Sequence, residues 1–189
     1  MTDSFRTSQN VSAADPRVPH LILVGLPGAG KSSVGRAAAE RLGRTFLDFD
    51  KEIERREGAT IAALFAERGE HYFRQCERAL TEELRLLGNM ILSPGGGWIG
   101  NADVVALLRP PARIIYLKVK PEIALRRMGP DATSRPLLVR PDPLGELRRL
   151  LTERERLYET ADWKIDTQRV DLNGVVDEVA KLAATLRHG

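Results

Sequence analysis

The chain has 189 residues, of which 42% are hydrophobic and 29% charged, and its formal net charge is +3. A chain of this length buries about 70% of the surface that it would expose unfolded, so one domain with a full core is expected. The small positive charge gives no case for a polycationic nucleic-acid binder. The single cysteine excludes a scaffold held together by internal disulfides.

The first 19 residues, MTDSFRTSQNVSAADPRVP, are polar and contain no apolar segment of the signal-peptide type. We expect residues 1–19 to be a disordered tail and residues 20–189 to form a single domain. No stretch approaches the roughly 18 apolar residues of a membrane-spanning helix. Together with the lone thiol, these features predict a cytoplasmic protein with no membrane partner.

Short β-rich segments alternate with helical patterns along the rest of the chain. The predicted strands are His20–Val24, Thr45–Phe49, Asn89–Leu92, Arg113–Val119 and Trp163–Asp166. The predicted helices are Lys31–Leu42, Lys51–Arg56, Ile61–Arg68, Phe73–Leu87, Asp103–Leu108, Pro121–Met128, one capped by Asp142 that runs to about Tyr158, and a last one capped by Asn173. Strands that alternate with helices predict a parallel sheet covered on both faces, with ligands bound beyond the carboxyl ends of its strands. Residues 128–141 contain too much glycine and proline for a regular element and are predicted to form a loop.

The segment after the first strand, GLPGAGKS at 25–32, matches the pattern G-x-x-x-x-G-K-[ST]. Its glycines let successive N–H groups face one point, and the helix that follows adds its positive end, so the two together make a phosphate cradle. Lys31 reaches the β- and γ-phosphates in such a loop, and Ser32 can ligate the Mg²⁺ that arrives with them. The sequence therefore predicts binding of ATP or GTP.

Two carboxylates, Asp48 and Asp50, stand at the end of the predicted second strand. Residues two apart on a strand point to the same side, so we expect both carboxylates to project together toward the phosphate loop. One could hold Mg²⁺ through water, and the other could accept a hydrogen bond from a substrate hydroxyl. The alternative is that Asp50 only caps a helix that begins at Lys51.

Three consecutive glycines, Gly95, Gly96 and Gly97, follow the third strand. Without side chains they allow a ligand to approach the backbone closely, although a mobile turn is the alternative. On the long helix Arg74 and Glu77 are three residues apart and share a face. There the glutamate can fix the arginine fork for a carboxylate ligand, although an ordinary surface ion pair is the alternative.

Two further arginines are candidates for binding anions. Arg154 lies on the late helix, where other arginines nearby, such as Arg148 and Arg149, leave its assignment open. Arg135 lies in the 128–141 loop. Such a loop can act as a lid that brings an arginine to a transferring phosphoryl group.

Taken together, these motifs resemble the shikimate kinase family. The resemblance is carried by Gly25–Ser32, Asp48 and Asp50, Gly69-Glu70 with Phe73-Arg74 and Glu77, Gly95–Gly97, TSRPLL at 133–138, and Arg154 with Leu157-Tyr158. It covers about residues 20–170. It implies a three-layer P-loop fold of the nucleoside-monophosphate-kinase type, an α/β architecture with a five-stranded parallel sheet, helices on both faces and a lid loop.

The resemblance also implies an activity and partners. The implied reaction transfers the ATP γ-phosphoryl group to the 3-hydroxyl of shikimate, a step toward chorismate and the aromatic amino acids. ATP is the co-substrate, Mg²⁺ the cofactor and shikimate the acceptor. The protein is expected to be a monomer that binds no nucleic acid.

Residue roles follow from the resemblance in the same way. Catalytic roles are implied for Lys31, Asp50 and Arg135. Nucleotide binding is implied for Gly28, Ala29, Gly30, Lys31, Ser32, Ser33, Arg127 and Arg135. Substrate binding is implied for Asp50, Arg74, Gly95, Gly96, Gly97 and Arg154, with Ile61, Phe65 and Phe73 as apolar lining. Mg²⁺ is expected on Ser32 and, through water, on Asp48.

The chain differs from the usual family pattern at Trp98 and at Arg156, where the family typically has proline. Two other functions are also considered. Trp98 follows the glycines where the family usually has a smaller residue, and it would narrow the pocket if it pointed inward. A gluconate-type kinase would share the phosphate loop but should lack Asp50, Arg74 and Arg154, which are present. Loss of Lys31, Asp50 or Arg135 would indicate a non-catalytic sensor domain, and this chain has all three residues.

Overall fold

The computed structural model describes residues 17–129 and 141–186. Within them one sheet contains the strands β1 (Leu21–Val24), β2 (Thr45–Asp48), β3 (Met90–Ser93), β4 (Arg113–Lys118) and β5 (Trp163–Asp166). The strand order is β2-β3-β1-β4-β5, and every neighbouring pair is parallel. The predicted five-stranded parallel sheet is confirmed.

Seven α-helices and one 3-10 turn surround the sheet in this part of the chain. The helices are α1 (Lys31–Leu42), α2 (Phe49–Glu57), α3 (Ile61–Leu84), α4 (Ala102–Ala106), α5 (Pro121–Met128), α6 (Pro143–Tyr158) and α7 (Leu172–Thr185), and the 3-10 turn is Trp98–Gly100. Connections between parallel strands are right-handed. Since the connection from β1 to β2 and the one from β4 to β5 run in opposite directions across the sheet, their helices lie on opposite faces.

The central strands β1 and β3 are buried along their whole length and are apolar except for Ser93 at the end of β3. All four residues of β1, LILV, are buried, as are all four of β3, MILS. Continuous apolar strands are typical of parallel sheets that are covered on both faces. Since β1 lies between β3 and β4, the phosphate loop that follows it starts from the middle of the sheet.

The two helices predicted at Ile61–Arg68 and Phe73–Leu87 lie on either side of a break in α3 at Gly69, whose φ of 78° and ψ of 169° are accessible essentially to glycine alone. One helix prediction needs correction. The last helix is capped by Asp171, whose side chain accepts from the Gly174 N–H, and not by Asn173. The predicted cap at Asp142 is confirmed, since it accepts from the Gly145 N–H at 2.8 Å.

The described residues do not include most of two predicted segments. Residues 1–16 of the expected tail and residues 130–140 of the expected loop lie outside them. Among the helices that are described, none has the length and the apolar character needed to cross a membrane.

Candidate active site

The phosphate loop connects β1 to α1 as the motif predicts. Gly28 and Gly30 have φ values of +80° and +93°, which favour glycine. A Cβ on Gly28 would collide with the carbonyl group of Ala124 on α5, so this glycine also lets α5 pack closely on the loop. The Lys31 ammonium lies against the loop and donates to the carbonyl oxygens of Gly25 at 2.9 Å and Leu26 at 3.1 Å.

The N-terminus of α1 is suited to an anion. Gly30 is its N-cap and provides no side-chain hydrogen bond to the first N–H groups. Ser32 and Ser33 lie in the first turn, Ser32 partly buried and Ser33 exposed, whereas Ala29 in the loop is buried. Loop and helix end together place backbone donors and the lysine at one point, which is the arrangement that binds phosphates.

The expectation that Asp48 and Asp50 project together from a strand is wrong. The strand ends at Asp48 and α2 begins at Phe49, so the two-residue period of a strand no longer applies. Asp48 is the N-cap of α2, and its Oδ2 accepts a hydrogen bond from the Ser32 hydroxyl at 2.6 Å. The capping role considered for Asp50 therefore belongs to Asp48, and Asp50 lies in the first turn of α2.

Asp50 faces the glycine loop, which we define as Gly95, Gly96 and Gly97. A Cβ added to Gly95 would lie 3.2 Å from Asp50 Oδ1 and 2.9 Å from Glu77 Oε1. The two aspartates thus lie at different loops: Asp48 is at the phosphate loop and Asp50 is at the glycine loop.

Each of the other two loop glycines faces an arginine. A Cβ on Gly96 would lie 2.9 Å from Arg154 Nη1, and one on Gly97 would lie 2.5 Å from Arg74 Nη2. The same Cβ on Gly96 would be 3.9 Å from the Gly25 carbonyl oxygen of the phosphate loop. The missing side chains therefore make the space in which both guanidinium groups approach one backbone segment.

Arg74 is held by two carboxylates on its own helix. Its Nη1 donates to Glu77 Oε2 at 2.5 Å, and its Nη2 donates to Glu70 Oε1 at 2.7 Å. Glu77 is 1% exposed, and its Oε1 is buried with no hydrogen-bond partner. Burial raises the pKa of Glu77 to about 7, the Arg74 charge opposes that rise, and the Asp50 charge adds to it. The ordinary surface ion pair considered from the sequence is excluded by this burial.

Tyr158 supports the Gly96 side of the loop. Its hydroxyl donates to the Gly96 carbonyl at 3.3 Å, and its ring stacks on Tyr116 of β4 with centroids 5.0 Å apart. Burial raises the pKa of Tyr158, while the charge of Arg154 and its hydrogen bond oppose the rise. Arg154 lies one helical turn before Tyr158 on α6, in the motif of Arg154 with Leu157-Tyr158 that carries part of the family resemblance.

Arg127 on α5 contacts Thr167, which follows the strand β5. It donates to the Thr167 hydroxyl at 2.9 Å and to the Thr167 carbonyl at 2.6 Å. Thr167 follows β5, and its hydroxyl and N–H both donate to the Lys118 carbonyl at the end of β4. Nothing in the sequence connects these positions, which are 40 residues apart.

Phe65 and Phe73, predicted as apolar lining, touch each other across the Gly69 break with ring centroids 5.1 Å apart. The Arg74 guanidinium lies 5.4 Å from the Phe73 ring centroid. Ile61, the third predicted lining residue, is partly buried against the core. Arg135 lies outside the described residues.

Trp98 does not narrow the cleft. Its side chain is fully buried, its indole N–H donates to Thr81 Oγ1 at 3.1 Å, and its ring meets Phe49 edge-on with centroids 6.4 Å apart. The side chain belongs to the core beneath the glycine loop.

A glycine-rich phosphate loop on the central strand of a five-stranded parallel sheet defines the chain as a P-loop nucleotide-binding protein. A family profile described as "Shikimate kinase" matches residues 27–184. The chain belongs to the shikimate kinase family.

Individual relatives agree with the profile. The chain is 42% identical to shikimate kinase of Burkholderia thailandensis over 170 residues, which cover 89% of this chain and 91% of the relative. It is 39% identical to the enzyme of Pelotomaculum thermopropionicum over 160 residues, covering 85% and 92%. Among solved structures, shikimate kinase from Acinetobacter baumannii in complex with shikimate superposes with a TM-score of 0.84 at 38% identity, covering 91% of this chain and 96% of that one. The gluconate-type and sensor alternatives are not favoured by these matches.

Proposed function

We propose that the protein is a working shikimate kinase, which transfers the γ-phosphoryl group of ATP to the 3-hydroxyl of shikimate and so serves aromatic amino acid biosynthesis. The observation that carries the proposal is the glycine loop, where three consecutive glycines face Asp50 with Glu77, Arg154 and Arg74. Two arginines and one aspartate around a loop without side chains match a small acceptor with one carboxylate and several hydroxyls.

The arginines bind the acceptor's carboxylate in this proposal. Charge-assisted hydrogen bonds from guanidinium groups to a carboxylate are short and strong, and they fix its orientation. Arg74 suits this role because Glu70 and Glu77 hold its guanidinium in place before the ligand arrives. Arg154 approaches Gly96 from α6, so the two arginines come from different helices.

Asp50 orients and deprotonates the attacking hydroxyl. The hydroxyl oxygen forms a bond to the γ-phosphorus, the bond from that phosphorus to the β–γ bridging oxygen breaks, and ADP leaves with that electron pair. The hydroxyl proton passes to Asp50. Phosphoryl transfer depends mainly on positioning and charge neutralisation. The glycine loop and the phosphate loop lie close together, since the Gly96 Cβ position is 3.9 Å from the Gly25 carbonyl oxygen.

Lys31 and the lid residue Arg135 neutralise the transferring group in this scheme, with Gly28, Ala29, Gly30 and Ser33 around the phosphates. Arg127, anchored on Thr167 at the carboxyl ends of β4 and β5, lies on the side we assign to the adenine base.

The residues at the phosphate loop fit Mg²⁺. The Ser32 hydroxyl and the Asp48 carboxylate are hard oxygen ligands 2.6 Å apart. The described part of the chain has no cluster of three or more His, Cys, Asp or Glu that could hold a metal by itself. Mg²⁺ keeps several waters and commonly uses one or two protein ligands plus nucleotide phosphates, so the pair is sufficient. Ser32 would bind it directly and Asp48 through water, and the ion would neutralise phosphate charge.

A cytoplasmic monomer is also part of the proposal. The lone thiol is compatible with a reducing compartment. The large exposed apolar residues in the described ranges, Leu86, Leu157, Val170 and Leu172, are few.

The test of the function is ADP release from ATP and Mg²⁺ in a coupled assay, with shikimate, gluconate and nucleoside monophosphates as separate acceptors. We expect stimulation by shikimate alone. Absence of stimulation by shikimate, or equal stimulation by gluconate, would contradict the proposal.

A further inference from the structure

Three consecutive glycines cannot hold themselves in place. Glycine loses more backbone freedom on ordering than any other residue and has no side chain with which to anchor a loop. The loop nevertheless has to present a fixed backbone to Arg74 and Arg154, whose guanidinium nitrogens lie within 2.9 Å of the Cβ positions of Gly97 and Gly96. An anchor next to the loop is therefore required.

Trp98 is attached to the loop and to its surroundings at three points. Its backbone N–H donates to the Gly95 carbonyl at 3.0 Å, which closes the turn that contains the glycines. Its indole N–H donates to Thr81 Oγ1 at 3.1 Å. Its ring packs edge-on against Phe49, the residue between Asp48 and Asp50.

The Thr81 contact leads back to the residue that holds Arg74. The Thr81 hydroxyl donates to the Glu77 carbonyl at 2.7 Å while it accepts from Trp98, so its donor and an acceptor position are both used. Thr81 is fully buried and lies one turn after Glu77 on α3. Trp98 thus fastens the glycine loop to the turn of α3 that carries Glu77.

We propose that Trp98, through Thr81, is a positioning residue for shikimate, which sets the distance between the glycine loop and Arg74. The inference rests on the proposed function. It assigns Trp98 no contact with substrate and no part in nucleotide binding.

The test compares Trp98→Phe and Thr81→Val with wild type by steady-state kinetics with each substrate varied in turn. Trp98→Phe keeps a ring and removes the indole donor, and Thr81→Val removes the hydroxyl at nearly constant volume. One buried hydrogen bond is worth about 0.5–1.5 kcal/mol, so we expect KM for shikimate to rise about two- to thirteenfold in each variant. KM for ATP should stay within about twofold of the wild-type value. Thr81→Ser keeps the hydroxyl and should therefore have the wild-type KM for shikimate.

Val179→Ala provides the control for a purely structural effect. Val179 on α7 is fully buried, so its truncation leaves a cavity in the core. It should lower Tm without changing KM for shikimate. If Trp98→Phe and Thr81→Val likewise lower Tm and leave both KM values unchanged, the inference is overturned and the proposed function stands. If wild type shows no shikimate-dependent turnover, the proposed function itself fails.

Discussion

Glu77 carries a carboxyl group that is 1% exposed and lies between the Arg74 guanidinium and Asp50. Burial disfavours its charged form, so its pKa rises from an ordinary 4.5 to about 7. Arg74 opposes the rise, whereas the Asp50 and Glu70 charges add to it. We therefore expect the ion pair between Glu77 and Arg74 to depend on pH near neutrality.

We expect KM for shikimate to rise as pH falls from 8 to 6, because protonated Glu77 holds Arg74 less firmly. Glu77→Gln, which cannot ionise, should show a higher KM that lacks this step. The measurement is the pH profile of KM for shikimate in both proteins, with KM for ATP as the internal control. A wild-type profile that coincides with that of Glu77→Gln would contradict this role.

Stability gives the same ionisation an independent readout. The folded pKa of about 7 lies above the ordinary 4.5, so between these values the unfolded chain has released a proton that the folded chain retains. Stability contributed by this group is therefore lost as pH rises through that window. As pH rises through this window, the Tm of wild type should therefore fall relative to the Tm of Glu77→Gln.

At the scale of the elements, the glycine loop meets α2, α3 and α6 at one place. Gly95 faces α2 and α3, Gly96 faces α6, and Gly97 faces α3. The sequence predicted the loop and its proximity to a ligand, but it left a mobile turn as the alternative. The anchor at Trp98 was not foreseen, because an indole that points into the core and one that points into the cleft look the same in a sequence.

Gly97→Ala tests the loop at this scale. Its Cβ would lie 2.5 Å from Arg74 Nη2, and because a guanidinium group is flexible we expect it to move while the fold persists. KM for shikimate should rise about tenfold or more, as expected when a charge-assisted hydrogen bond of about 1.5–3 kcal/mol is lost. KM for ATP should change little.

Gly100→Ala is the matched control three residues further along. A Cβ there meets only Leu157 Cδ1 at 3.9 Å, an ordinary contact. Equal kinetic effects of the two substitutions would show that the Gly97 contact with Arg74 is not what matters.

Element boundaries set the limit of prediction from the sequence. The end of β2 was placed one residue late, at Phe49, because an apolar residue after Asp48 continues the strand pattern equally well. The side chain of Asp48 as N-cap decides that boundary, and it turns Asp50 away from the direction expected. The sequence thus singled out Asp48 and Asp50, but it did not predict the geometry that brings Asp50 to the glycine loop.

For the whole molecule, alternation of strands and helices was sufficient to predict the five-stranded parallel sheet. Contacts between distant residues were beyond such reasoning, since Arg127 with Thr167 and Trp98 with Thr81 depend on tertiary packing alone. The small net charge of +3 is uninformative as a sum. Its local arrangement is informative, since Lys31 lies against the phosphate loop and Arg74 and Arg154 meet at one glycine loop.

In the proposed function, Arg74 recognises a carboxylate of the acceptor. The most direct test compares kcat/KM for shikimate with that for its neutral carboxamide, in wild type and in Arg74→Ala. A charge-assisted hydrogen bond of about 1.5–3 kcal/mol corresponds to roughly a 10- to 150-fold preference. We expect wild type to prefer shikimate by such a factor and Arg74→Ala to lose most of that preference. An undiminished preference in Arg74→Ala would show that Arg74 does not recognise the carboxylate.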